Sequence, residues 1–316
     1  MANKELFNFK SEDGVSNIHG VEWTPEDGQI TAVLQITHGM VEYIERYTEF
    51  AEFLTSRGFA VFGHDHIGHG ESVASEEEWG IMHTEHPSDV MVADMYTDYT
   101  MHKAKYPNVP YFILGHSMGS YMLRKYLTVH AADMEGVTGA IIMGTGTEAD
   151  GTIKMGSMVL SIVAKFKSWD YRSSFVAGLM YGAPYKIYDV TGAQPEKSWL
   201  SKNIENVKKY YSDPKCTYMF SLGGYKALLE STAFDNKQEN INRIPKNLPI
   251  IFTSGADDPV GNMGKGVQQA YDKFVNAGIN DVSIKLYEND RHEILNETDR
   301  QNIYEDLYVW MKDKMQ

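Results

Sequence analysis

Cysteine is almost absent: Cys216 is the only one in 316 residues. No intrachain disulfide can form, and no cysteine cluster suggests zinc. Positive charge is also short, with 29 Lys and Arg against 43 Asp and Glu and a formal net charge of -14. An acidic surface repels phosphate backbones, which argues against nucleic acid as a partner. There is no apolar run of about eighteen residues, so no membrane-spanning helix is expected. The opening stretch MANKELFNFK lacks the apolar segment of a secretory signal. Internal repeats and low-complexity segments are missing too. These absences predict a soluble, cytoplasmic protein. What is present in quantity is apolar residues, 42% of the chain, enough for a large buried core.

Segments 6–10 and 17–23 alternate apolar and polar residues around Asp13-Gly14, as in an antiparallel hairpin. Strand-like runs follow at 30–37, 59–62, 111–114, 140–143, 248–253 and 282–287. Between most of them lie helical patterns, at 44–57, 87–106, 120–130, 264–276 and 299–314. Strands alternating with helices predict an α/β protein whose mostly parallel sheet is covered on both faces. The alternation stops after Gly144 and resumes near residue 242, and the stretch between is rich in Met, Tyr, Trp, Phe, Gly and Ser. The expected organisation is one core domain, 1–144 and 242–316, with a mainly helical cap inserted at 145–241. Such sheets bind ligands at the carboxyl ends of their strands, which is where a cap is expected to sit.

The stretch that organises the chemistry is Tyr111–Gly119. Four apolar residues run into Gly115-His116-Ser117-Met118-Gly119, and a helix follows. Strand, sharp turn and helix with serine at the apex form a nucleophile elbow, whose glycines keep side chains off the neighbouring strand and helix. The N–H of Met118, at the helix start, is placed to face an oxyanion. A serine hydroxyl needs a base, and the base needs an orienting carboxylate. On an open α/β sheet the order is Ser, then acid, then His. After Ser117 the histidines are His130, too close in sequence to curl back, and His292, in the loop past the last strand. The acid is expected in Gly255-Ala256-Asp257-Asp258-Pro259. Both aspartates are candidates, and Pro259 biases Asp258 toward extended backbone. A second oxyanion donor is expected from the His38-Gly39-Met40 loop, as the N–H of Met40.

These residues resemble the α/β-hydrolase superfamily, and within it the monoacylglycerol lipase and lysophospholipase-like serine hydrolases. The likeness lies in His38-Gly39-Met40 with Glu42 and Arg46-Tyr47, in Asp65–Ser72, in Gly115–Gly119, in Gly255–Asp258 and in Arg291-His292-Glu293. It covers the core segments and not the insertion, and it favours Asp258 as the acid. It departs at Ile67, where the group has arginine, and at Tyr43, where it often has histidine. The resemblance implies a serine carboxylester hydrolase with Ser117, Asp258 and His292 as its triad, acting on acyl esters of small alcohols such as monoacylglycerol or lysophospholipid, without metal or organic cofactor. A short-chain carboxylesterase, an acyltransferase and a thioesterase are the alternatives on the same triad. The histidines His64, His66 and His69 lack the helical spacing of a metal site. Met155, Met158, Val159, Ile162, Val163 and Phe166 recur at helical spacing, flanked by Lys154 and Lys165. Met155, Met158, Val159 and Ile162, together with His38 and Gly39, are the expected acyl-pocket residues; a transient contact with membranes or micelles is the alternative use of that stripe. The oligomeric state has no signature in the sequence.

Overall fold

Strands β1 (Asn3–Lys10) and β2 (Asn17–Thr24) pair antiparallel around the Asp13-Gly14 turn, as their alternation predicts. The remaining strands, all but the last buried along their whole length, lie between covering layers. They are β3 (Ala32–Thr37), β4 (Phe59–His64), β5 (Tyr111–His116), β6 (Gly139–Met143), β7 (Ile250–Gly255) and β8 (Val282–Tyr287). The computed structural model describes residues 2–134 and 136–315 and joins these strands in one eight-stranded sheet, ordered β1-β2-β4-β3-β5-β6-β7-β8. From β4 to β8 every pairing is parallel, and β2 meets β4 antiparallel.

Helices α1 (Thr48–Thr55), α2 (Pro87–Lys105) and α3 (Met118–Val129) connect the first half of the sheet. The predicted helix over 44–57 begins with a separate 3₁₀ turn, Ile44–Tyr47, because Asp65 Oδ1 takes the Ile44 N–H at 2.8 Å and ties it to the end of β4. Between β6 and β7 no strand joins the sheet. The chain there forms α4 (Asp150–Lys167), α5 (Ser174–Met180), α6 (Ile204–Ser212), α7 (Leu222–Asp235) and α8 (Gln238–Ile241). Helices α9 (Lys265–Asn276) and α10 (Arg300–Lys314) complete the chain.

The pleat of β5 sets the layering. Tyr111 and Ile113 point to the layer of α2, α3, α7 and α9, where Met95, Leu123, Tyr126 and Phe274 are buried. Phe112 and Leu114 point to the layer of α1 and α10, with Phe50, Leu54, Ile303 and Leu307. A fully buried side chain of this size contributes about 1.5–3 kcal/mol, so both faces hold the sheet. The apolar stripe of α4 divides differently from expectation. Ile153 and Leu160 are buried, Gly156 lies against Leu229 of α7, and Val159 and Val163 are half-buried. Met155, Met158, Ile162 and Phe166 are 60%, 57%, 53% and 78% exposed. The helix meets α7 along one edge of its apolar face, and the rest of that face turns outward.

The turn from β5 into α3 is closed by contacts that admit no side chain. A Cβ on Gly119 would lie 2.2 Å from the Thr37 carbonyl oxygen and 2.6 Å from that of His38; one on Gly115 would lie 2.4 Å from the Gly119 carbonyl oxygen. Backbone atoms of a central strand cannot yield. Gly119→Ala is expected to destabilise the protein by about 2 kcal/mol or more, read as a lower urea midpoint at unchanged slope. Gly151→Ala, where nothing lies within 4 Å, is the control that should not.

Candidate active site

Ser117 follows β5 and caps α3 with φ 52° and ψ -120°. A side-chain-bearing residue held there costs about 1–3 kcal/mol and persists only where its surroundings over-determine it. The glycine contacts at 115 and 119 do so, and they thrust the serine side chain above the strand ends. The first N–H groups of α3, Met118 foremost, leave the helix end beside it without intrahelical acceptors.

The other two triad candidates meet through a second close approach. Gly255, the last residue of β7, packs so tightly on the loop after β8 that a Cβ would lie 2.2 Å from the carbonyl oxygens of both Asp290 and Arg291. The Asp257 N–H donates to the Asp290 carbonyl at 2.9 Å. Asp258 then projects inward and Asp257 outward: Asp258 is buried and Asp257 exposed. Asp258 Oδ2 is 2.9 Å from His292 Nδ1 and accepts from Ser254 Oγ at 3.0 Å, while its Oδ1 accepts from the Val260 N–H at 2.8 Å. An imidazole so held donates from Nδ1 and offers Nε2 as a base. Among the described residues Ser117 Oγ makes no hydrogen bond with His292, a contact that commonly tightens only with substrate. Trp199, from the insertion, stacks on the His292 ring with centroids 5.1 Å apart.

The loop after β3 comes closest to the serine. A Cβ on Gly39 would lie 2.9 Å from Ser117 Cβ and 2.6 Å from Glu42 Oε1. Met40 follows and lines the same cavity as Ser117. His38 is fully buried, with Nδ1 2.7 Å from the Gly39 carbonyl oxygen and Nε2 accepting from the His66 N–H at 3.0 Å. It shapes the loop from behind. Burial is the main reason its pKa falls to about 3, helped by the neighbouring His69, so the ring is neutral.

The cavity over Ser117 and His292 has a volume of about 530 Å³. Its walls come largely from the insertion, including the aromatic side chains Tyr181, Trp199, Tyr210, Tyr211, Tyr218, Phe220 and Tyr225. The expected pocket residues are not among them. Met155, Met158 and Ile162 lie on the outward face of α4, Val159 packs toward the core, and His38 and Gly39 sit behind the loop whose Met40 and Val41 form the wall. Periodicity marked α4 as apolar without saying which side a neighbour covers. Also unforeseen is a buried charge cluster. Glu42 Oε1 accepts from the Gly39 N–H at 2.6 Å and the Tyr47 hydroxyl at 3.0 Å, and its Oε2 accepts from Arg46 at 2.8 Å. Arg46 also clamps Glu293, beside His292, through two hydrogen bonds of 2.7 Å. Glu42, Arg46 and Glu293 all stand in the motifs of the resemblance, which was the available signal. Among the described residues no three His, Cys, Asp or Glu side chains converge as metal ligands, and no helix is long and apolar enough to cross a membrane.

A family model described as serine aminopeptidase, S33, matches residues 28–299. The chain belongs to that family of α/β-hydrolases. The monoglyceride lipase homolog of Monkeypox virus is 28% identical over 288 residues, covering 89% of each chain. Human monoglyceride lipase is 25% identical over 299 residues, covering 92% of this chain and 86% of its own. A thermostable carboxyl esterase from Bacillus coagulans, solved in complex with glycerol, superposes with a TM-score of 0.88 at 26% identity over the full length of both chains. This α/β-hydrolase is a serine ester hydrolase. In this hydrolase Gly39 leaves no room for a methyl group between Ser117 and Glu42. Gly39→Ala is therefore expected to retain the fold by circular dichroism and to lose about 100-fold in kcat on a soluble ester, the scale of one displaced oxyanion donor.

Proposed function

We propose that the protein hydrolyses acyl esters of small polar alcohols, of the monoacylglycerol or lysophospholipid type, through an acyl-enzyme on Ser117. Ser117 Oγ attacks the ester carbonyl. His292 Nε2 takes its proton and returns it to the leaving alkoxide. Asp258 holds the ring by its Nδ1–H and stabilises the imidazolium that forms. The N–H groups of Met40 and Met118 receive the tetrahedral oxyanion, and water repeats the sequence on the acyl-enzyme. The observation that carries this reading is the 2.9 Å contact of His292 with buried Asp258, at the wall of the cavity that Ser117 enters. Met40 and Met118 suit their role because one follows the glycine pressed against the serine and the other opens α3. The aromatic walls suit an acyl chain, and the glycerol bound to the Bacillus coagulans relative suits a small polyol as the leaving group. Within the 145–241 insertion the residues that wall the cavity run from Ala177 to Tyr225, while most of α7 packs on α2 and α3 beside the sheet.

A lipid surface is the proposed source of substrate. Besides the outward residues of α4, Phe175 and Leu179 of α5 and Ile187 are exposed, and so are Lys154, Lys165 and Lys167 of α4. An exposed apolar face on a helix that also carries lysines suits insertion at a membrane interface, the ammonium groups reaching the headgroups.

Hydrolysis of an ester series from two to eighteen acyl carbons should peak at long chains and vanish in Ser117→Ala; a peak at two to four carbons would make the protein a short-chain carboxylesterase. Asp258→Asn should lower kcat by as much as about 10⁴-fold, as loss of the orienting carboxylate does, whereas Asp257→Asn should not. Replacing Met158, Ile162 and Phe166 by Ser is expected to weaken co-sedimentation with anionic phospholipid vesicles and to leave hydrolysis of a soluble ester unchanged.

A further inference from the structure

The proposed mechanism leaves one buried ionisable group beside Ser117 without a task. His116 precedes the serine and is 5% exposed. Its Nδ1 is 3.1 Å from Glu42 Oε1 and its Nε2 is 3.2 Å from the carbonyl oxygen of His292. Both partners are acceptors. A neutral imidazole carries one N–H and can serve only one of them; serving both needs a proton on each nitrogen. Glu42 is not the group that brings the extra proton, since the Gly39 N–H, the Tyr47 hydroxyl and Arg46 already donate to it. Charge leads to the same assignment. The cluster holds two carboxylates, Glu42 and Glu293, and one guanidinium, Arg46. A neutral His116 leaves one negative charge buried without compensation, an expensive arrangement. A cationic His116 closes the cluster at zero.

We propose that His116 is held as an imidazolium and acts as a positioning residue for the esterase reaction. Its Nε2–H fixes the carbonyl of the base, His292, and its Nδ1–H fixes Glu42, which in turn holds the Gly39 N–H. One cation thereby sets the base and the oxyanion loop against each other across the nucleophile. The proposal rests on the reading of Ser117 and His292 as nucleophile and base.

Burial opposes charge on His116, but the hydrogen bond and charge of Glu42, with Glu293 and the His292 carbonyl, raise its pKa above the ordinary histidine value. Burial likewise opposes charge on Glu42, yet His116 and Arg46 hold its carboxyl below the usual carboxylate range. The groups facing His116 are Glu42 and Tyr47 from the segment after β3 and His292 from the loop after β8, with Arg46 and Glu293 one contact further. A raised pKa in the folded state means the cation is complete below the ordinary histidine value. It is lost only as pH rises through the raised value.

The direct test is nuclear magnetic resonance of the ¹⁵N-histidine-labelled protein at pH 7, with His116 assigned by its disappearance in His116→Gln. Both ring nitrogens should carry protons and show imidazolium shifts; a single protonated nitrogen overturns the proposal. The signature should be present in Ser117→Ala as well. Should that variant keep full esterase activity, the functional reading fails while the imidazolium assignment stands, so the two failures are distinguishable. In kinetics, His116→Ala should lose about 10- to 100-fold in kcat, the cost of a misplaced base, with KM within about twofold, the split expected when positioning rather than binding is lost. His116→Gln, which keeps one donor, should recover part of that loss. The wild-type rate should fall on an alkaline limb that His116→Gln lacks. A folded His116→Ala with wild-type kcat, or an alkaline limb unchanged in His116→Gln, overturns the positioning role.

Discussion

A carboxylate buried among donors from three directions holds the catalytic end of this protein together. Glu42 binds the loop after β3 through Gly39 and the following turn through Tyr47 and Arg46. Arg46 extends the hold to Glu293, 247 residues further along the chain. Taking these charges out of water yields little net stability, and an apolar cluster of equal volume would hold the fold as well or better. What the ions supply is direction. A guanidinium with two bonds to one carboxylate fixes an angle as well as a distance, and here the fixed element is the loop that carries His292. Packing alone would let that loop settle in several ways.

The same end of the sheet depends on places where backbone meets backbone. Gly119 against Thr37 and His38, and Gly255 against Asp290 and Arg291, bring the chain closer than any side chain allows. These contacts draw together the loops after β3, β5, β7 and β8, whose strands lie side by side or nearly so in the sheet. They also maintain the unfavourable backbone of Ser117, whose conformation is a property of its neighbours rather than of serine. Chemistry, strain and close approach therefore fall on the same few residues, as expected where a fold stores strain for function.

Much of this was legible in the sequence, because it is written in local terms. Apolar runs alternating with amphipathic stretches announced the sheet, and Gly115–Gly119 between a strand and a helix announced the elbow. The order serine, acid, histidine singled out His292. Pro259 and the motif likeness favoured Asp258 over Asp257, but the reason lies elsewhere: adjacent carboxylates differ in which way the chain turns after Gly255, and that depends on a contact with residues 290 and 291. The assignment of α4 side chains to the pocket failed for a similar reason. Its apolar periodicity is genuine, but Leu229 covers only the edge around Gly156, and no pattern within 155–166 records where α7 will lie. Glu42, Arg46 and Glu293 were visible as letters of a motif, while their partnership, made across most of the chain's length, was not.

The loop carrying His292 also grips the insertion. Arg291 donates to the carbonyls of Glu196, Ser198 and Ser201, Glu297 accepts from the N–H of Lys202, Asn206 donates to Glu293, and Trp199 lies flat on His292. The stretch from 196 to 206 is thus bolted to the loop of the proposed base, while α4 meets α7 along one edge. The two parts of the insertion are therefore mechanically unlike: any force that moves the stretch 196–206 moves His292 with it, whereas α4 has no such hold on that loop.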